Sequence, residues 1–501
     1  PAALLLLWFL SMLQSRYLVF QFLLWSWAFS LAACSPVGPD YQAPETTLPQ
    51  QWENGADRLR FTQSSDLQQW WHLFTDPRLD TLISQALQAN PDLAIAETRI
   101  REARALSRIS GADLLPSIDG ASGYTHSRKS EHIPSGGTRQ DLFQLNFDAA
   151  WEVDIFGGNR RQQEAAEATL AATVEDYRDV LVSLTAEVAR KYIELRAAQQ
   201  RLILAQKNIH LQEQTLNLTR ERLTTGIGNQ LEVAQAQTQL SLLHAQVPPL
   251  ESTRTQACHQ LAVLLGMQPQ QLGKDLLEIA PLPQTPARLP ALLPSALLQQ
   301  RPDLRSAERQ LAAANAAVGV ATADLFPHFS LSALIGLQST DLNQLITSGS
   351  RYWSLGPAIQ WPLFDGGRTR AALDAKEAQL DRARLTYQKT VLTALADVED
   401  ALVAIQHEQA AKERFIEAVN SSRQAADLAK HQYTAGLNTF LNVLLATATL
   451  AQSEDKLVQS DQRLILATVA LYKAMGGGWQ LKATASPSSI SPLLPTPTAY
   501  P

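Results

Sequence analysis

Residues 159–225 and 368–435 contain neither glycine nor proline, and in both stretches apolar residues return at helical spacing. Val174, Leu181, Val188, Leu195, Leu202, Ile209, Leu216 and Leu223 recur every seven residues without a gap. A heptad sustained over so many turns is a coiled-coil seam, a narrow apolar stripe that packs against another helix. Val391, Val398, Ile405 and Val419 keep the same spacing in the second stretch, and Lys412 interrupts it. Each stretch stops at a glycine, Gly226 or Gly436. A further periodic run follows: Val233, Leu240, Val247 and Leu261 after the first, and Val443, Leu450, Leu457, Leu464 and Leu471 after the second. The glycines supply the left-handed conformation that ends a helix. Asn229-Gln230-Leu231-Glu232 resembles a capping box, with Asn229 capping and Glu232 reaching back, and Asn438 or Thr439 can cap the second return helix. The pattern predicts two antiparallel helical hairpins with arms on the order of 100 Å long.

Ahead of each hairpin the period changes to two. Phe143, Leu145, Phe147, Ala149, Trp151 and Val153 alternate with Gln144, Asn146, Asp148, Ala150 and Glu152. Trp353, Leu355, Ile359, Trp361 and Leu363 alternate with Ser354, Gly356, Ala358 and Gln360. Phe329, Leu331, Ala333, Ile335 and Leu337 form a third run, and a weaker one follows Pro116. Such alternation gives a strand one apolar and one polar face. Four strands of roughly nine to eleven residues have the length that crosses a bilayer when tilted. A soluble four-stranded sandwich is the competing reading. Glycines at Gly157-Gly158 and Gly366-Gly367 mark the change from strand to helix.

The chain is written twice. Asn90-Pro91-Asp92-Leu93 matches Arg301-Pro302-Asp303-Leu304, and Ala112-Asp113-Leu114-Leu115-Pro116 matches Ala323-Asp324-Leu325-Phe326-Pro327. Trp151 answers Trp361, Gly226 answers Gly436 and Gly266 answers Gly476, at an offset near 210. A constant offset across many markers is the mark of an internal duplication. Residues 71–267 form the first copy and 301–478 the second, each with the order helix, two strands, long helix, turn, return helix. The proline-rich stretch 268–300 connects them, 34–70 is an extended polar lead, and 479–501, rich in Pro, Ser and Thr, is expected to be disordered.

The N-terminus adds a compartment. Arg16 precedes an apolar segment from Tyr17 to Phe29, and Leu31-Ala32-Ala33-Cys34 follows. Basic flank, short apolar core and small residues are the marks of an export signal over 1–33, with Met12 the expected start, and Cys34 sits where a bacterial lipoprotein box carries its lipid. A membrane anchor or an ordinary cysteine is the alternative. Ser35 after the cysteine fits sorting to the outer membrane. Cys258, the other cysteine, fits a small core residue. No later run of eighteen apolar residues occurs, so any spanning part must be β-barrel. A net charge of −6 without basic blocks argues against nucleic acid. Catalytic and metal-binding motifs are missing, and no enzyme activity, cofactor or metal is expected.

Four strands cannot close a barrel, and open edges in lipid leave backbone groups unpaired at a cost of several kcal/mol each. The barrel must be shared between subunits, which gives an oligomeric pore. Gly38-Pro39-Asp40-Tyr41, the segment Leu289-Pro290, Leu293-Pro294-Ser295, Leu297-Leu298, Arg301-Pro302-Asp303-Leu304 and Ala307-Glu308-Arg309, then Phe326-Pro327 and both hairpin tips, resemble the TolC-type outer-membrane efflux factors, in their lipoprotein branch. The resemblance covers the chain from about Cys34 to Gly478. It implies a mainly α fold with a β-barrel part, a homotrimer with a twelve-stranded barrel and a twelve-helix periplasmic tunnel. It further implies docking to a periplasmic adaptor and an inner-membrane pump of the resistance-nodulation-division type, and attachment to the outer membrane through diacylglycerol and acyl chains on Cys34. The function it implies is a passive exit duct for drugs, metals or lipophiles. A conduit for type I protein secretion and a pore-less coiled-coil lipoprotein are the alternatives.

The same resemblance assigns adaptor contact to Thr225, Gly226, Gly228 and Leu231 in the first tip and to Ala435, Gly436, Thr439 and Leu441 in the second, residues that also end or start helices. Family positions that carry acidic residues at the periplasmic entrance fall on Asn442 and Leu445, neither of them acidic. The expectation is a constriction closed by apolar packing of Leu441 and Leu445, with weak attraction for cations. Leu445 facing a neighbouring helix instead of the pore is the competing placement.

Overall fold

The computed structural model describes residues 36–480 except 46, 54–60, 63–66, 133, 135–136, 273–275, 277, 287–288 and 291–293. The main helices are α1 (Pro77–Ala89), α2 (Pro91–Ala112), α3 (Gly158–Thr224), α4 (Gln230–Ala245), α5 (Val247–Leu264), α6 (Pro302–Ala323), α7 (Arg368–Thr434) and α8 (Phe440–Ala474). The main strands are β1 (Ser117–Arg128), β2 (Arg139–Val153), β3 (His328–Ser339) and β4 (Arg351–Gln360). Phe61–Thr62 and Leu289–Pro290 add a two-residue parallel pairing. The export signal, Met12, Cys34 and Ser35 lie outside the described residues, as does the tail beyond residue 480. The chain divides into two compact units: residues 99–174 and 306–389 with the N-terminal stretch to Glu45, and residues 46–98, 175–305 and 390–501.

The first unit holds one antiparallel sheet in the order β1-β2-β3-β4. Its strands run 12, 15, 12 and 10 residues. β4 stops at Gln360, short of the expected Leu363, because Pro362 has no N–H to continue the ladder. Cross-strand register puts Phe147, Ile335 and Trp353 in one row, with Leu145 and Leu337 beside them on the same face. The opposite face carries Asp119 against Asp148, Gln144 against Gln338, and Ser330 against Glu152. The apolar face is bare: Phe147 is 59% and Trp353 77% exposed. The edges of β1 and β4 have no partner strand among the described residues. The duplication persists in side-chain detail, since Trp151 Nε1 donates to the Leu114 carbonyl and Trp361 Nε1 to the Leu325 carbonyl, both at 3.1 Å.

The N-terminal strap, residues 36–41, is seated on this unit by Arg161 of α3, whose side chain is 5% exposed. Its Nε donates to the Val37 carbonyl at 3.1 Å and Nη2 to the Gly38 carbonyl at 3.3 Å and Asp40 Oδ1 at 2.7 Å, while Nη1 pairs with Glu164 at 2.8 Å. Gly38 lies directly on Gly319 of α6, so close that a Cβ there would meet the Gly319 Cα at 2.5 Å. Asn315 Nδ2 donates to the Pro39 carbonyl at 2.8 Å. A buried guanidinium needs its donors satisfied, and the strap carbonyls do so.

The second unit is helical. The heptad seam of α3 is its core: Val188 and Leu195 are fully buried, and Leu181, Leu202 and Leu216 nearly so, as are Val391, Val398 and Ile405 of α7. Each such side chain contributes about 1.5–3 kcal/mol. Lys412, the break in the second seam, reaches Asp461 at 2.7 Å. The first return helix departs from expectation. It is broken after Gln246, where Pro248 and Pro249 open α5 without N–H groups to bond back into α4. Its counterpart α8 runs unbroken for 35 residues. Four helices end in the same way, with Gly226, Gly266, Gly436 and Gly476 at φ near +70° and paired bonds back into the last turn. Asn90 Nδ2 donates to the Leu264 carbonyl and Arg301 Nη1 to the Ala474 carbonyl, equivalent contacts in the two copies. Trp479, assigned by sequence to the tail, is instead fixed. Its ring faces Arg178 at 4.9 Å and Arg305 at 5.4 Å, and its Nε1 donates to the Gln300 carbonyl at 2.8 Å.

Candidate functional site at the helical hairpin tips

The α3–α4 and α7–α8 turns are built alike. Ile227 N donates to the Arg222 carbonyl and Gly226 N to that of Leu223; Leu437 N donates to Gln432 and Gly436 N to Tyr433. This is the Schellman closure, in which the left-handed glycine lets two amides return to the last helical turn. No atom approaches a Cβ built on Gly226 or Gly436 within 4 Å, so each glycine is required by its φ of 72° and not by crowding. Gly228 is different: its N–H donates to the Arg222 carbonyl at 2.8 Å, and a Cβ there would meet the Arg222 backbone at 3.1 Å.

Both caps depart from the sequence reading. Asn229 accepts from the Glu232 amide at 3.0 Å, as a capping residue should. Glu232 does not reach back to Asn229; its carboxylate accepts from the Tyr433 hydroxyl at 2.8 Å. Thr439 occupies the cap position of α8, yet its side chain makes no capping bond. Asn438 instead accepts from the Thr439 amide at 2.9 Å and from the Asn442 side chain.

Tyr433 therefore joins the two hairpins. The Arg222 guanidinium lies 4.5 Å from its ring centre, a cation–π distance. Its ring packs against Phe440 at 5.6 Å. Around them Leu216, Ala236, Leu240, Ala429 and Val443 form a buried cluster drawn from both hairpins. Burial pushes the Tyr433 phenol up to about 12, the Glu232 hydrogen bond and charge add to this, and Arg222 opposes it. Leu216, Leu240 and Val443 belong to the periodic runs read from sequence, whereas Tyr433 and Phe440 lie outside them. The signal was a lapse in the duplication: the positions of Tyr433 and Phe440 are held by Leu223 and Gln230 in the first copy.

Thr225, Gly226, Leu231, Ala435, Gly436 and Thr439 are exposed at the turns, and Gly228 is half-buried. Leu441, Asn442 and Leu445 are exposed along one side of α8, with Leu441 at 48% and Leu445 at 57%, while Val443 faces the cluster. No helix of the described residues is long and apolar enough to cross a membrane.

The family model described as outer membrane efflux protein matches residues 82–267 and 293–477. The chain belongs to that family. It is an outer-membrane efflux channel, and its sheet and helical hairpins are the barrel and tunnel parts of such a channel. The solvent efflux pump outer membrane protein SrpC of Pseudomonas putida is 35% identical over 90% of this chain and 97% of its own length. The probable outer membrane lipoprotein SilC of Salmonella typhimurium is 30% identical over 90% of this chain and 97% of its own. The solved outer-membrane channel OprN superimposes with a TM-score of 0.83 at 36% identity, over 89% of this chain and 99% of that one.

Proposed function

We propose that three copies of this chain close one channel, which serves as the passive exit duct of an efflux system and carries out no chemistry of its own. The observation that carries the reading is the four-stranded sheet with bare edges at β1 and β4 and an exposed apolar face. In hydrocarbon each unpaired backbone group costs several kcal/mol, so the edges must be joined, and copies of the same sheet join them at the least cost. Twelve strands with an apolar exterior and polar lumen result.

An inner-membrane pump of the resistance-nodulation-division type would load the duct through a periplasmic adaptor seated on the two tips, at Thr225, Gly226, Gly228, Leu231, Ala435, Gly436, Thr439 and Leu441. Relatives named for solvent, antibiotic and pyoverdine export support small molecules as cargo. No observation favours protein secretion. Lipid on Cys34 would hold the strap at the membrane, and the likeness to a named lipoprotein supports that. Leu441, Asn442 and Leu445 are read as the closed periplasmic constriction.

Native mass spectrometry of the detergent-extracted protein should give a trimer, and planar bilayers should show its conductance. A monodisperse monomer, soluble without detergent, would overturn the reading.

A further inference from the structure

We propose that the outer rim of the sheet binds the phosphates of lipopolysaccharide, the phosphorylated glycolipid of the outer leaflet, through Arg128, Arg139 and Arg351. The inference rests on the apolar face being the lipid-facing one.

Chain connectivity fixes the direction. One end of every strand runs to a helix, and the other ends are joined by the loops 129–138 and 340–350, which places those loops at the external rim. Arg128 and Arg139 are directly opposite in register, and both share the parity of the apolar face. Climbing that face along β1 and β2, the residues change in order. Tyr124 and Phe143 stack at 4.9 Å, then His126 meets Asp141, then Arg128 meets Arg139. The only carboxylate on this face below the arginines is already engaged, because Asp141 accepts from Tyr124 and pairs with His126, both at 2.7 Å. Arg128 pairs with Glu131 of the loop and donates Nε to the Gly137 carbonyl at 3.2 Å. The Arg139 side chain makes no hydrogen bond or ion pair with any described residue. The second hairpin adds a single arginine: Arg351, opposite Leu337 and with no side-chain partner among the described residues, lies two positions beyond Trp353 on the same face.

Depth agrees with this assignment. From Val153 to Phe143 the strand climbs ~25 Å at ~3.3 Å per residue and a tilt near 40°, which is the height of the apolar band of such barrels. Arg139, four residues further, stands ~10 Å above the aromatic pair, at headgroup level. Like charges directly opposite are destabilising in a sheet, and a phosphate between two guanidinium groups turns that repulsion into charge-assisted, bidentate bonding. Three arginines per chain, all above the aromatic side chains of the same face, suit a polyanionic lipid whose acyl chains lie against the apolar face below.

The test uses the full-length protein in detergent, with purified lipopolysaccharide and the same material after phosphate removal as probes, read by native mass spectrometry. Wild type should retain the phosphorylated form, and R128Q/R139Q/R351Q should retain it roughly tenfold less or weaker, with unchanged oligomeric state. Equal retention by the triple variant would overturn the proposal. Equal retention of the dephosphorylated probe by wild type would also overturn it, and that arm decides even where the variant does not assemble. Displacement by inorganic phosphate alone would reduce the rim to a simple anion site and count against a lipid. The same spectra report subunit number, so failure of the trimer is seen separately from failure of lipid binding.

Discussion

Tyr433 concentrates three interactions in one side chain: a hydroxyl on Glu232, a ring face on Arg222 and a ring edge in the buried cluster. Its phenol is held up near 12, against about 10 for a tyrosine in water. The folded state thus binds this proton more tightly than the unfolded one, so the contribution is complete below pH ~10 and disappears as pH rises through ~12. The difference between wild-type and Tyr433→Phe absorbance should therefore show phenolate appearing near pH 12. A step near pH 10 would mean the hydroxyl lies in water. The sequence marks Tyr433 only as a lapse in the duplication and gives no sign of its partner, because Tyr433 and Glu232 are 201 positions apart. Arg161 was hidden for the same reason: its partners in the strap lie more than 120 positions upstream.

At the level of elements, local chemistry was legible wherever one turn of chain decides the outcome. The heptads, the alternating runs and the left-handed Gly226 and Gly436 needed only neighbours in sequence. The break at Gln246 was written in Pro248-Pro249 but masked by Val247, which keeps the heptad phase while opening a new helix. Glu232 fitted a capping box by spacing, and a tertiary hydroxyl outcompeted the backbone amide. The α7–α8 turn, closed on itself by Asn438 and with Thr439 free of any capping duty, is an element whose outer surface can change without unwinding the helix. Thr439→Glu should accordingly leave folding, export and oligomeric state intact and abolish efflux-dependent resistance, measured as minimum inhibitory concentration. Wild-type resistance in that variant would argue against docking at this turn.

For the whole molecule, selectivity follows from which side chains narrow the duct. Leu441, Asn442 and Leu445 carry no charge, so a constriction formed by them should discriminate weakly between ions. Single-channel recordings of Leu445→Asp should shift the reversal potential toward cation selectivity, and an unchanged value would place Leu445 away from the lumen. The strap carries a consequence of another kind. Residues 36–41 leave the ribosome early, yet their seat includes Asn315 Nδ2, made 276 positions after Pro39, together with Gly319 beneath Gly38. Arg161 offers the leading segment one wall of its seat from the first half of the chain, and the other wall, under Gly38 and Pro39, exists only once α6 has been made and folded.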